Sequence, residues 1–180
     1  LSGKWEPKEF VGTELKNKLL VSIGHGKIGK KLVAMANGLG MQTSWSDSKT
    51  SENEINKLLQ TADVLVLCLA LKESTKGWFN KQRLSLLKKD CIVINVARGL
   101  IVEQEPFYEA LKENKIAGAG IDVFPNDGTI READESIVKF LKLPNVVATP
   151  HIGFNTIETS QRLGPELIAD IESCLVEKPI

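Results

Sequence analysis

Short apolar runs of strand length alternate with helix-patterned stretches along most of this chain. The runs span residues 19–23, 41–45, 63–69, 91–96, 117–123 and 145–149. Most of them are continuously apolar and rich in valine and isoleucine, which is typical of strands that are covered on both faces. Because parallel neighbours need a crossover between them, this order predicts an α/β fold with a doubly wound parallel sheet.

Helix candidates occupy the stretches between the strands. They span residues 26–37, 51–60, 80–87, 105–114 and 156–177. The first is expected to bury a face formed by Ile28, Leu32, Val33 and Ala36. Ser51 and Glu54 have the spacing of a capping box, and Asn80 can cap the third helix. Pro165 predicts a kink or two shorter helices in the last stretch.

Charge balance and cysteine spacing exclude several classes of protein. The chain of 180 residues has 23 basic and 23 acidic side chains, so no basic field favours nucleic acid. No apolar run approaches the ~18 residues of a membrane span, and we expect no membrane contact. The three cysteines are widely spaced, which predicts reduced thiols in a cytoplasmic protein and no metal site.

A glycine-rich turn follows the first strand and opens the first helix. Its residues, from Gly24 to Gly29, read G-H-G-K-I-G. Gly24 allows the tight turn, Gly26 lets a diphosphate approach the backbone, and Gly29 lets the helix pack close to the strand. Unpaired N–H groups and the helix dipole then attract phosphate. This predicts a Rossmann-type dinucleotide site, with a purely structural glycine turn as the alternative.

Two polar residues near the glycine turn refine this prediction. Asp47 follows the second strand, about 20 residues after the glycines, where a carboxylate accepts hydrogen bonds from ribose hydroxyls and repels a 2′-phosphate. This favours NAD over NADP, unless Asp47 is simply a surface loop residue. His25 stands inside the turn, where it either donates to phosphate or faces solvent; we expect it to face solvent.

Polar side chains also follow three later strands. Arg98 follows the fourth strand, where a guanidinium can hold a carboxylate with two parallel hydrogen bonds. His151 follows the sixth strand, where an imidazole can move a proton. Asp122 ends the fifth strand and Asp127 lies beyond it, and either carboxylate can orient an imidazole. Judged singly, these residues also fit a surface ion pair, a structural histidine and solvated loop acids.

Four motifs in this order resemble those of the D-isomer-specific 2-hydroxyacid dehydrogenases. They read GHGKIG, NVARG, GAGIDVF and TPHIG, and the resemblance extends over nearly the whole chain. The family implies an enzyme with an NAD-binding domain and a substrate domain, and this chain resembles the first alone, with the substrate domain largely absent. Residues 1–18 are therefore expected to form a connector, residues 19–155 the NAD-binding Rossmann domain, and residues 156–180 a helical segment returning toward the substrate domain.

The resemblance implies roles for individual residues. Arg98 matches the arginine that binds the substrate carboxylate and carbonyl, and His151 matches the general acid and base. The positions that match cofactor-binding residues are Gly24, Gly26, Lys27, Ile28, Gly29, Asp47, Leu69, Ala70, Thr75, Val96, Ala97, Asp122 and Gly153. Of these, Asp122 is expected to accept a hydrogen bond from the nicotinamide carboxamide. The family usually has proline where Ala70 stands.

The chief departure from the family follows the DVF motif. The family has a glutamate there, followed by proline, and that glutamate pairs with the histidine. In this chain Asp127 takes the place and Gly128 follows. Since aspartate is one methylene shorter, the contact with His151 is expected to be lost, lengthened or remade by a loop shift, with Glu132 as a less suitable substitute. Efficient catalysis is therefore in doubt.

The activity that the resemblance implies is hydride transfer between NAD(H) and a D-2-hydroxy acid or its 2-oxo acid. The chain alone is expected to be weakly active or inactive. The alternative is a non-catalytic NAD(H)-binding module, such as a redox sensor or a corepressor-like interaction protein. An unrelated Rossmann protein would lack the Arg–Gly and Pro–His pairs at the strand ends. The family also implies a homodimer, for which Trp5 and Phe10 are candidate contacts unless they pack on their own domain.

Overall fold

Six parallel strands form one sheet within residues 11–125 and 135–177, the ranges that the computed structural model describes. The strands are β1 (Leu19–Ile23), β2 (Gln42–Ser46), β3 (Val64–Leu67), β4 (Ile92–Asn95), β5 (Gly118–Ile121) and β6 (Val146–Ala148). The helices are α1 (Lys27–Gly38), α2 (Glu52–Thr61), α3 (Lys81–Leu84), α4 (Gln104–Lys112), α5 (Glu135–Leu141) and α6 (Ile157–Glu177). The predicted α/β architecture with a parallel sheet is confirmed.

The strand order reverses its direction at β1. Strand β2 lies on one side of β1 and β3 on the other, and the sheet then continues outward through β4, β5 and β6. In open parallel sheets, ligands bind beyond the carboxyl ends of the strands at such a reversal. The glycine turn that follows β1 therefore lies at the place where this topology leaves room for a ligand.

The two faces of the sheet carry apolar clusters of different size. The larger cluster packs α2, α3, α4 and α5 against the strands and buries Phe79, Phe107 and Phe140 almost completely. The smaller cluster lies under α1 and is formed by Leu20, Ala36, Met41 and Val66. Burial of this apolar surface holds the strands, and with them the loops at their carboxyl ends, in one arrangement.

On the face of the sheet that carries α1, the half formed by β4, β5 and β6 is exposed, and we call it the open sheet half. Ile92 on β4 and Val147 on β6 are 42% and 72% exposed. Both lie on the face of Ile94, because Val147 pairs with Gly120, which in turn pairs with Ile94. The prediction that the strands are covered on both faces is therefore wrong for this half of the sheet, since no helix of the described residues covers these side chains.

Two predicted helix starts are confirmed. Ser51 Oγ accepts from Glu54 N at 3.4 Å, and Ser51 N donates to Glu54 Oε2 at 3.0 Å, which completes the capping box of α2. The side chain of Asn80 accepts from Arg83 N at 3.0 Å and caps α3. Helix α3 ends earlier than predicted, at Leu84.

The buried face of α1 differs from the prediction at Ile28, which is 62% exposed. The buried residues of this helix are Gly29, Val33 and Ala36. Gly29 takes the inward position in the first turn, because only a residue without a side chain fits against the preceding strand there. Ile28 is consequently left at the surface beside the glycine turn.

Helix α6 runs unbroken through Pro165. Of the two predicted alternatives, the break into two shorter helices is wrong, and the kink stays a prediction. Proline removes a single backbone donor, and α6 continues past it. Its apolar residues Leu163, Leu167 and Ile171 are exposed. No helix within the described ranges is long and apolar enough to cross a membrane. Residues 1–10, 126–134 and 178–180 lie outside these ranges, and with them Trp5, Phe10, Asp127 and Glu132.

Candidate functional site

The glycine turn depends on close contacts that a side chain would destroy. Gly24 has a φ of +104°, and a Cβ atom on it would lie 2.7 Å from the carbonyl carbon and oxygen of Cys68. A Cβ atom on Gly29 would lie 2.2 Å from the Gly24 carbonyl oxygen. Nothing lies within 4 Å of the corresponding position on Gly26. Gly24 and Gly29 are thus required by the fold, whereas Gly26 faces open space.

Within the part of the chain that the structure describes, no side chain caps the N-terminus of α1. Gly26 is its N-cap, and its first turn contains no acidic residue. Lys27 and Ile28 are exposed beside it. The unpaired N–H groups and the positive end of the helix dipole are therefore available to an anion.

His25 stacks on the side chain of Trp45. The prediction that it simply faces solvent is therefore wrong. The two ring centroids are 4.3 Å apart and the ring planes differ by 14°. The ring is half-buried, and its Nδ1 atom is buried without a hydrogen-bond partner among the described residues. Because Trp45 belongs to β2, this stack joins the glycine turn to the neighbouring strand.

Asp47 forms a compact turn at the carboxyl end of β2. Its Oδ1 atom accepts from Lys49 N at 2.8 Å and from Thr50 Oγ1 at 3.2 Å. The hydrogen bond from the Lys49 backbone, helped by those from Thr50, lowers the pKa of this exposed carboxyl group. Asp47 therefore remains ionised at neutral pH, and its Oδ2 atom is not used by this turn.

The loop after β3 is closed by the hydroxyl group of Thr75. This hydroxyl donates to the Ala70 carbonyl oxygen at 2.7 Å and accepts from Lys72 N at 2.8 Å. Leu69, at the start of the loop, is half-buried and its backbone lies against Gly24. The structure thus places Leu69 beside the glycine turn, and Thr75 shapes the loop that continues from it through Ala70.

Asn95 organises the turn that carries Arg98, a role that the strand pattern did not predict. Asn95 is 2% exposed; its Oδ1 atom accepts from Ala97 N at 3.1 Å, and its Nδ2 atom donates to the Arg98 carbonyl oxygen at 3.2 Å. Val96 and Arg98 are exposed at this turn, and Ala97 is buried. The available signal was a polar residue at the end of an otherwise apolar strand.

Asp122 holds the loop that carries His151. Its Oδ1 atom accepts from the Thr149 hydroxyl and from Ile152 N at 3.1 Å, and its Oδ2 atom accepts from Gly153 N at 3.1 Å. Partial burial raises the pKa of Asp122, but these three hydrogen bonds and the nearby His151 outweigh that effect and lower it. Both oxygens of the carboxylate are therefore already engaged by the loop.

His151 lies in a strained backbone conformation within this loop. Its φ is +54°, in the left-handed region that non-glycine residues adopt rarely and that is enriched at functional sites. The ring is half-buried and contacts Phe154 edge to face, with centroids 5.9 Å apart. The hydrogen bonds from Ile152 and Gly153 to Asp122 directly follow the strained residue and support its conformation.

Arg98, Asp122 and His151 follow three adjacent strands, β4, β5 and β6. All three strands are parallel, so these residues lie at one edge of the sheet, the edge that also carries the glycine turn. Neighbouring strands are about 4.8 Å apart, which places the ends of β4 and β6 about 10 Å from each other. Asp127 lies outside the described residues, and its contact with His151 stays a prediction.

The parallel sheet and the glycine turn after β1 are typical of a dinucleotide-binding domain. The chain matches the family model for the NAD binding domain of D-isomer specific 2-hydroxyacid dehydrogenases over residues 1–153. This match covers most of the chain, so the protein belongs to the D-isomer-specific 2-hydroxyacid dehydrogenase family. The resemblance inferred from the four motifs is confirmed.

The proteins that this chain resembles are considerably longer than the chain itself. Hydroxypyruvate reductase of Thermotoga maritima is 36% identical over 176 residues, which cover 94% of this chain and 56% of the relative. The pyruvate reductase of Chlamydomonas reinhardtii superposes with a TM-score of 0.89 at 25% identity, with 99% of this chain and 60% of that chain covered. The D-lactate dehydrogenase of Aquifex aeolicus, solved with NAD and lactic acid, gives a TM-score of 0.83 at 28% identity, with coverages of 94% and 56%. The chain spans little more than half the length of these relatives.

Proposed function

We propose that this chain is the cofactor-binding part of an NAD-dependent D-2-hydroxyacid dehydrogenase, which interconverts a D-2-hydroxy acid and its 2-oxo acid. The observation that carries the proposal is the placement of Arg98, Asp122 and His151 on three adjacent strand ends, at the same sheet edge as an uncapped glycine turn. The names of the relatives, all reductases or dehydrogenases, support the same activity.

The residues present fit a dinucleotide. Gly26 leaves the space over the turn open, and the N-terminus of α1 offers free N–H groups to a diphosphate. Lys27 and Ile28 border this space, and Asp47 offers an ionised carboxylate to ribose hydroxyls. The loop residues Leu69, Ala70 and Thr75, the Val96–Ala97 backbone and Gly153 complete the proposed cofactor boundary.

Arg98 and His151 carry the proposed chemistry toward the substrate. When bound, NADH would supply the hydride that reduces the carbonyl carbon of a 2-oxo acid. Arg98 holds the substrate carboxylate and stabilises the negative charge that develops on the carbonyl oxygen. His151 delivers a proton to that oxygen in reduction and removes it in oxidation. The His151 loop, held by the hydrogen bonds to Asp122, orients the imidazole for this transfer.

NAD(H) is the proposed cofactor, in preference to NADP(H). The ionised Asp47 carboxylate would lie beside a 2′-phosphate and repel it, whereas it accepts hydrogen bonds from a free ribose. Isothermal titration calorimetry of the chain with NADH and NADPH tests both claims. We expect saturable binding of NADH and affinity for NADPH weaker by about tenfold or more. A flat NADH titration would overturn the proposed function.

A non-catalytic NAD(H)-binding module is the competing function, since Asp127 replaces the glutamate of the family. Arg98 and His151 favour the enzyme, because a sensor needs neither of them, and none of the relatives named above is described as a sensor. In a protein that carries both domains, Asp127→Glu separates the two cases. Increased reduction of 2-oxo acids by the variant supports a weakened enzyme. Absence of activity in both proteins supports the binding module.

We also propose a homodimer and residence in the cytoplasm. The exposed apolar side chains of α6 and of the open sheet half are surfaces that assembly would cover. The free thiols of Cys68, Cys91 and Cys174 fit a reducing compartment. Size-exclusion chromatography with light scattering measures the oligomeric state, and a monomeric mass at micromolar concentration would contradict the dimer.

A further inference from the structure

His25 is the side chain at the glycine turn whose role the proposed function leaves open. Its ring lies flat against Trp45, and Nδ1 is buried without a partner among the described residues. Nε2 is the ring nitrogen that is left accessible. The stack therefore presents one edge of the imidazole outward, between Gly24 and Gly26.

The stack also couples two parts of the proposed dinucleotide site. Trp45 lies two residues before Asp47, and Gly24 N donates to the Ser46 carbonyl oxygen at 3.0 Å. The glycine turn and the Asp47 turn are thus tied by a backbone hydrogen bond and by the stacked rings. This double connection fixes the position of the imidazole relative to the ribose-binding carboxylate.

The surroundings of the ring decide which nitrogen carries the proton. A buried N–H group without an acceptor is costly, so a neutral imidazole in this position keeps Nδ1 unprotonated. Its proton then lies on Nε2, which faces outward. The ring is consequently a pre-oriented hydrogen-bond donor next to the open space over Gly26.

We propose that His25, held by Trp45, donates a hydrogen bond from Nε2 to the adenosine diphosphate part of NAD(H), and so contributes to cofactor affinity and specificity. The inference rests on the proposed function and adds to it a side-chain contact besides the backbone N–H groups. Asp47 accepts from the ribose while His25 donates to the diphosphate. Together they would distinguish an adenosine diphosphate from a simple anion.

Titration calorimetry with ADP-ribose and NADH tests this contact through two substitutions that separate donation from packing. His25→Gln keeps an N–H donor at a similar reach but loses the flat ring. His25→Phe keeps a ring that can stack on Trp45 but has no donor. We expect binding of both probes to weaken by about tenfold in His25→Phe and by about threefold or less in His25→Gln.

Tyr108→Phe serves as the matched control for an aromatic substitution elsewhere, because Tyr108 lies on α4 and packs edge to face against Phe140 of α5. Its affinity for ADP-ribose should equal that of the unsubstituted chain. Stronger binding by His25→Phe than by His25→Gln, or no change in either, would overturn the donor role. Circular dichroism checks that the variants are folded. If the unsubstituted chain binds neither probe, the proposed function fails as well, and the two failures are thereby distinguished.

Discussion

The Asp122 carboxylate connects the end of β5 to the loop that carries His151, and Asp122→Asn tests this connection. The amide replaces one acceptor oxygen with an NH₂ group, so the loop loses at least one of its three hydrogen bonds. We expect amide exchange of Ile152 and Gly153 to become faster by about tenfold or more, because opening of the loop costs less free energy. Hydrogen exchange followed by NMR measures it.

Asp63→Asn is the matched control for this loop. Asp63 is a partly buried carboxylate at the opposite edge of the sheet, just before β3, where it accepts from Leu19 N at 2.7 Å. Its substitution should leave the exchange of Ile152 and Gly153 unchanged. If both variants accelerate exchange equally, the effect is general destabilisation and the local role of Asp122 is refuted.

Two glycines of the site predict opposite outcomes when replaced by alanine. A Cβ atom on Gly99 would lie 2.1 Å from the carbonyl carbon of Phe124 and 2.2 Å from Pro125 N, and neither backbone can move freely. We expect Gly99→Ala to lower the free energy of unfolding by about 3 kcal/mol or more. Gly26→Ala meets no atom within 4 Å and should leave stability unchanged.

The Gly26→Ala variant should instead lose affinity for NADH. The alanine side chain at Gly26 occupies the space proposed for the diphosphate, so Gly26→Ala should weaken NADH binding by about tenfold or more. Chemical denaturation and calorimetric titration measure the two effects separately. A stable Gly26→Ala variant with unchanged affinity would argue against the proposed position of the diphosphate.

At the scale of the elements, Asp63 joins β1 to the segment between α3 and β4. Besides Leu19 N, it pairs with Lys88 Nζ at 2.5 Å. Burial raises the pKa of Asp63, but the hydrogen bonds from Lys88 and Leu19 outweigh burial and lower it. A carboxyl group with a lowered pKa binds protons more readily in the unfolded chain, so acid favours unfolding.

The lowered pKa of Asp63 in the folded chain determines how stability depends on pH. The stabilisation by Asp63 is fully present above its ordinary pKa of about 4 and is lost as the pH falls through the lowered folded value. We expect Asp63→Asn to lower Tm by about 3 °C at neutral pH and by less at acidic pH. Thermal melts across the acidic range measure the difference between the two proteins, and a constant difference would contradict the assignment.

At the scale of the whole molecule, Arg98 is exposed and His151 is half-buried at the carboxyl edge of the sheet. Closure of a second domain over such a site excludes water and completes the catalytic geometry. We therefore expect the chain alone to bind NADH and to reduce 2-oxo acids slowly or not at all. NADH absorbance with a panel of 2-oxo acids measures the rate, and robust turnover would show that a second domain is unnecessary.

Local sequence patterns predicted the parts of the site that depend on one or two elements. The spacing of Gly24, Gly26 and Gly29 predicted the turn, because all three lie in the one segment that joins β1 to α1, although the contact that excludes a side chain at Gly24 comes from the backbone after β3. The position of Asp47 after β2 followed from strand order alone. The strand-end positions of Arg98 and His151 were predictable for the same reason, since parallel strands end at one edge.

Contacts between distant segments were not predictable in this way. The stack of His25 on Trp45 joins two strands, and the hydrogen bonds of Asp122 reach residues about 30 positions away. The surface position of Ile28 and the open sheet half likewise depend on which elements lie nearby. The periodicity of apolar residues predicts which side chains share a face of a helix or strand, but it does not predict which element covers that face.

By itself, the amino-acid sequence determined the order of the strands and of every helix except α5, the glycine turn and the family, because these depend on local patterning and on residue types at short spacing. The tertiary structure alone decided how the loops are held: Asn95 beneath Arg98, Asp122 beneath the strained His151, and Trp45 against His25. The physical reason is that a hydrogen bond or a ring contact requires specific atoms within a few ångströms, and only the folded chain brings those atoms together.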